Sequence, residues 1–133
     1  MKIIDIEGIG PAYAAKLAKV GIRSVEGLLK NGASAKGRKE IADASGIDQT
    51  LVLEWVNRAD LYRIKGIAKQ YSDLLEKAGV DTVVELSKRV PGNLYAKMVE
   101  VNQAKNLVNS MPGLKQVEDW IEQAKKLPRV ITH

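Results

Sequence analysis

A stretch of eight residues returns in recognisable form 58 positions further along this chain, and that repetition limits the fold more than any other feature. Ile6-Glu7-Gly8-Ile9-Gly10-Pro11-Ala12-Tyr13 lies over Ile64-Lys65-Gly66-Ile67-Ala68-Lys69-Gln70-Tyr71. The same shift pairs Leu17 with Leu75, Lys19 with Lys77, Gly21 with Gly79, Val25 with Val83 and Leu28 with Leu86. A second register, shifted by 65, pairs Ser45 with Ser110, Val52 with Val117, Trp55 with Trp120, Val56 with Ile121 and Ala59 with Ala124. The second copy has therefore gained seven residues in its middle. Two copies of about sixty residues imply a duplicated module rather than a solenoid, which stacks three or more repeats.

What the repeated stretch folds into follows from its glycines and its proline. Gly8 and Gly10 bracket Ile9, so the backbone can take positive φ or approach another group closely. Pro11 suits the first turn of a helix, where its missing N–H would have no partner anyway. Tyr13 and Leu17 share one helical face, and Gly21 follows the last periodic residue as a stop. A helix that starts this way leaves the N–H groups of Gly10, Ala12 and Tyr13 pointing outward, a ready site for an anion such as a phosphate.

The rest of the chain reads as helices. Ser24 caps a short helix that Asn31-Gly32 breaks, Ser34 caps the next, Gly46 ends it, and Asp48 caps a long helix from Gln49 to about Arg63. A helix from about Lys69 to Ala78 stops at Gly79, and Thr82-Val83-Val84-Glu85 reads as a capping box. Pro91-Gly92 ends that helix, Asn93 caps the longest one, and Val117, Trp120, Ile121 and Ala124 mark the last, closed by Pro128. No segment alternates apolar and polar residues over strand length, so the expected class is all-α, with two pseudo-repeats, about 1–61 and 62–133, in one domain over residues 1–133.

Composition excludes several classes. The chain has no cysteine, which removes disulfides, thiolate metal sites and cysteine nucleophiles. No apolar run is long enough for a signal peptide or a membrane span, so a soluble cytoplasmic protein without membrane partners is expected. Lys and Arg exceed Asp and Glu by 21 to 16, a net +5 that permits nucleic-acid binding without amounting to a basic arm. The local basic clusters, Lys36 with Arg38 and Lys39, Lys88 with Arg89, and Lys125 with Lys126 and Arg129, read as solvated helix faces.

Ile6-Glu7-Gly8-Ile9-Gly10-Pro11, with Ala15, Leu17 and Gly21 behind it, resembles the helix-hairpin-helix motif of DNA repair and replication proteins. In that motif a Gly-hydrophobic-Gly hairpin joins two helices and contacts DNA phosphates. Over nearly the whole chain the sequence is similar to an uncharacterised bacterial family of two tandem modules of this kind. The residues that carry this likeness run from Arg63-Ile64-Lys65-Gly66-Ile67 through Val80-Asp81-Thr82-Val83 and Val117-Glu118-Asp119-Trp120-Ile121 to Leu127-Pro128-Arg129-Val130-Ile131-Thr132-His133. The resemblance implies hairpin contacts from Gly8, Ile9 and Gly10, the N–H groups of Ala12 and Tyr13, and Lys16. In the second copy it implies Gly66, Ile67 and Ala68, flanked by Lys65 and Lys69. Both copies depart from the pattern: Glu7 sits beside the first hairpin, and Ala68 replaces the later glycine of the second.

Catalysis has little to rest on. The single histidine is His133, and no nucleophile elbow, Walker loop or metal-binding His-Glu spacing is present. Gly8-Ile9-Gly10-Pro11 follows no strand, so it is not a dinucleotide fingerprint. No cofactor, no metal and no enzymatic activity are expected. Trp55 and Trp120 sit among apolar neighbours and read as core anchors, with Tyr62 and Tyr95 the exposed candidates for base stacking. Two functions follow. One is a non-catalytic module that holds DNA or RNA through its phosphates without reading sequence; the alternative is a protein-interaction or scaffold module whose hairpins are purely structural.

Overall fold

A computed structural model describes all 133 residues, which form eight α-helices and no strand. They are α1 (Pro11–Lys19), α2 (Val25–Asn31), α3 (Ala35–Ser45), α4 (Gln49–Leu61), α5 (Lys69–Lys77), α6 (Val83–Ser87), α7 (Pro91–Lys105) and α8 (Leu114–Lys126), preceded by a 3₁₀ turn at Ile3–Asp5. No helix is long and apolar enough to cross a membrane. The chain divides into two compact units, one of Met1–Asp60 with Val130–His133, the other of Leu61–Arg129.

Side-chain caps set three of the helix starts. Ser24 Oγ accepts the Gly27 N–H at 2.9 Å, Ser34 Oγ accepts that of Gly37 at 3.0 Å, and Thr82 Oγ1 accepts that of Glu85 at 3.3 Å. Each satisfies a donor that the first turn of a helix leaves unpaired. The capping box at Thr82 closes one residue earlier than its pattern predicts, because Glu85 Oε2 accepts the N–H of Asp81 at 3.1 Å. The start of α7 also differs from expectation: it begins at Pro91 with Val90 as its cap, and Asn93 lies inside it. Proline at the first helical position starts a helix as readily as it ends one, and sequence spacing did not separate the two roles.

In the first unit α1 packs on α3, and α2 on α3, around Ile6, Leu17, Leu28, Val52, Trp55 and Val56, all fully buried. Val130–His133 complete this unit: Ile131 is buried, and the Thr132 N–H donates to the Ala33 carbonyl at 2.8 Å. Arg38 holds the same tail. Its guanidinium donates to the carbonyls of Gly32 (2.9 Å), Ala33 (3.0 Å) and Thr132 (2.8 Å). Arg38 is only 4% exposed, which corrects its assignment to a solvated cluster with Lys36 and Lys39. Burial lowers its pKa from the usual value, and the carbonyls supply the acceptors that a buried guanidinium requires.

The second unit packs α8 on α6 and α7, and α7 on α5, around Leu74, Leu75, Leu86, Leu94, Trp120 and Ile121. Its α7 ends at Asn106 in left-handed geometry, φ 51° and ψ 51°. The loop that follows is fastened by Asn102, whose side chain pairs with both the N–H and the C=O of Val108 at 3.0 and 3.1 Å. That loop also receives the Tyr71 hydroxyl, which donates to the Ser110 carbonyl at 3.1 Å.

Candidate nucleic-acid interface

In the first unit the Ile9 N–H donates to the Ile6 carbonyl at 3.1 Å, closing a β-turn with Gly8 third at φ 95°. The left-handed region at that place is what a type II turn demands and what glycine accepts without strain. The turn leads into α1 through Gly10, with no side chain capping the helix. Ile6 and Ile9 are buried, whereas Glu7, Gly8, Pro11, Ala12 and Lys16 are exposed. The apolar members thus fasten the turn and the others face outward. Trp55 supports it from α4: its indole lies edge-on to Tyr13 at 5.0 Å between centroids, and Lys16 Nζ stands 5.7 Å from the centre of the Tyr13 ring.

The second unit shows the same local geometry. The Ile67 N–H donates to the Ile64 carbonyl at 3.2 Å around Gly66, φ 100°, and Ala68 enters α5 without a side-chain cap. Tyr71 packs on Trp120 at 5.4 Å, as Tyr13 packs on Trp55. Ile64 and Ile67 are buried; Lys65, Gly66, Ala68, Lys69 and Gln70 are exposed. A shallow cavity of about 300 Å³ opens at the start of α5, lined by Gly66, Ala68, Lys69, Gln70 and Tyr71.

The expected site residues therefore form two groups, Gly8 to Lys16 in one unit and Lys65 to Lys69 in the other. Ile9 and Ile67 can offer a ligand only their backbone, since their side chains are in the core. Tyr62 and Tyr95, expected as exposed stacking candidates, are instead half-buried and packed on the core of the second unit. The tyrosine that does line the cavity is Tyr71, and its position in the repeat was the only sequence signal for it.

Gln123 of α8 contacts the second turn, a contact that sequence reasoning missed. Its Oε1 accepts the Lys65 N–H at 2.9 Å and its Nε2 donates to the Lys65 carbonyl at 3.1 Å. Nε2 also donates to Asp119 Oδ2 at 2.9 Å. In the first unit Arg58 follows Trp55 by the same three residues that separate Gln123 from Trp120, and it is buried, with Nη2 3.9 Å from Glu54 Oε1. No group of three or more His, Cys, Asp or Glu residues is placed to hold a metal ion.

Comparison with known proteins adds a family and a partial relative. The model of a family described as Domain of unknown function (DUF4332) matches residues 7–127. Over 55 residues, 41% of its length, the chain is 44% identical to a protein of Haloferax mediterranei named poly(3-hydroxyalkanoate) polymerase subunit PhaC, and the match spans 10% of that protein. No solved structure matches the chain.

Proposed function

The chain belongs to that family of unknown function, and from this premise we propose that it is a non-catalytic module of two tandem helix-hairpin-helix units that binds the phosphate backbone of DNA or RNA without reading sequence. The duplication is supported by paired backbone geometry: Gly8 with Gly66 and Gly21 with Gly79 all have positive φ, at matching places before and after α1 and α5. Binding is supported above all by the start of α5. There an uncapped helix end, where free N–H groups and the helix dipole favour an anion, opens onto the cavity lined by Gly66, Ala68 and Lys69. Lys65 and Lys69 flank the turn with positive charge. Glu7 makes the first turn the weaker of the two, because a carboxylate beside it repels phosphate.

A second reading, a protein-interaction or scaffold module, has its own support. The net charge is small, Glu7 opposes phosphate at one turn, and a stretch akin to part of this chain lies within a much longer polymerase subunit.

Fluorescence anisotropy with a labelled duplex separates the readings. The phosphate reading expects a dissociation constant of about 10⁻⁴–10⁻⁶ M at physiological salt, insensitive to sequence, with a log–log salt slope of about −0.9 per neutralised phosphate. Lys65→Ala with Lys69→Ala should flatten the slope. Gly10→Leu should weaken binding at the first turn while the fold persists, since nothing lies within 4 Å of a Cβ built at Gly10. Absence of wild-type binding even at low salt would favour the interaction module.

A further inference from the structure

Gln123 occupies an unusual place at the second turn. The turn itself, Lys65, Gly66 and Ala68, is exposed, and exposed backbone of this kind is ordinarily free to exchange its hydrogen bonds with water. Here both backbone polar groups of Lys65, the second residue of the turn, are taken by a single side chain, at 2.9 and 3.1 Å. The orientation of that side chain is determined as well. The Lys65 carbonyl and the Asp119 carboxylate can only accept, so both must face the amide NH₂ of Gln123, which leaves Oε1 for the Lys65 N–H. The amide thus has all its hydrogens engaged and one arrangement open to it.

We infer that Gln123 is the positioning residue for the second turn, holding Lys65 and Gly66 in the geometry that receives a phosphate; this rests on the phosphate reading above. The chemistry distinguishes the two units. Arg58, at the corresponding distance from its tryptophan, has only donors and cannot accept the N–H of a turn residue. A glutamine adds no charge of its own, so it leaves the charges of Lys65, Lys69 and Asp119 as they are and acts through order alone. Holding a binding segment in its bound conformation reduces the entropy lost on association.

The test uses the full chain and compares wild type with Gln123→Ala and with Gln123→Met, which keeps the length of the side chain against α8. Amide hydrogen exchange at Lys65 and Gly66 reads the clamp, and duplex anisotropy over a salt series reads binding. In both variants exchange at Lys65 should quicken, and the dissociation constant should rise about three- to tenfold, the scale of one net hydrogen bond. The salt slope should stay unchanged, because no phosphate contact is removed. Wild-type affinity in variants whose Lys65 amide exchanges faster would overturn the inference and leave the phosphate reading standing. A flattened slope would also overturn it, by making Gln123 a direct contact. If wild type does not bind duplex at low salt, the phosphate reading fails and the inference fails with it.

Discussion

The indole nitrogen of Trp120 lies 2.8 Å from the point where a Cβ on Gly66 would stand, and that of Trp55 lies 3.2 Å from the same point on Gly8. In each unit a buried tryptophan is therefore packed directly onto the glycine of the exposed turn, so the core and the candidate interface meet at a single residue. The fit at Trp120 is the closer of the two. Its indole N–H is buried there without a hydrogen-bond partner, a polar group given up to contact with the turn.

Gly66→Ala should destabilise the second unit by about 2–3 kcal/mol, since it forces a side chain into left-handed geometry and against the buried Trp120 indole. Gly8→Ala should cost less, about 1–2 kcal/mol, because its neighbour is further away and the backbone strain is the main cost. Denaturant melts of the two variants check both size and order; a Gly66→Ala protein as stable as wild type would refute the packing argument.

Trp55→Ala and Trp120→Ala should each lose about 3–5 kcal/mol, the usual loss for a large buried aromatic. Both side chains are essentially inaccessible, at 1% and 0% exposed. A loss below about 1 kcal/mol in equilibrium unfolding of either variant would remove it as a core anchor.

Arg38→Met should release Val130–His133 from the first unit. The substitution keeps the buried stem but leaves the carbonyls of Gly32 and Thr132 without their donor, at a cost of about 1–3 kcal/mol for the unsatisfied groups, and removes one of the donors to the Ala33 carbonyl, which also accepts the Thr132 N–H. Hydrogen exchange at the Thr132 amide should quicken, while amides in the core of Leu61–Arg129 keep their protection. Unchanged exchange at Thr132 would mean that Ile131 alone holds the tail.

Acid should weaken the first unit through Glu26. Its own backbone N–H at the start of α2, and then the Met1 amino group 3.1 and 3.2 Å from its oxygens, hold this carboxyl below the ordinary glutamate value. A carboxyl depressed in the folded state stabilises above its unfolded pKa, about 4.3, and that contribution disappears as pH falls through the lower folded value. Glu26→Gln should therefore melt below wild type at neutral pH and converge on it in acid. A gap in melting temperature that persists at low pH would assign the effect to something other than charge.

The all-helical class, the caps at Ser24, Ser34 and Thr82, and the glycine turns at Gly8 and Gly66 were legible in the amino-acid sequence because each depends on residues a few positions apart. A hydroxyl reaches an N–H three residues on, and a glycine accepts a φ that its neighbours cannot, whatever the rest of the chain does. The burial of Trp55 and Trp120 was legible for a related reason, since apolar residues at helical spacing define an inward face without reference to what it meets.

Other features depended on partners distant in sequence. Arg38 reads as one cation of a surface cluster until Thr132, 94 residues away, brings a carbonyl to it. Gln123 reads as an ordinary polar residue of α8 until Lys65, 58 residues away, presents both its backbone groups. Tyr62 and Tyr95 read as exposed until the core of the second unit closes on them. Local pattern determined where this chain turns and which faces are apolar. Whether a polar side chain faces water or backbone was decided only when folding brought remote carbonyls and amides within about 3 Å, the distance at which a hydrogen bond forms.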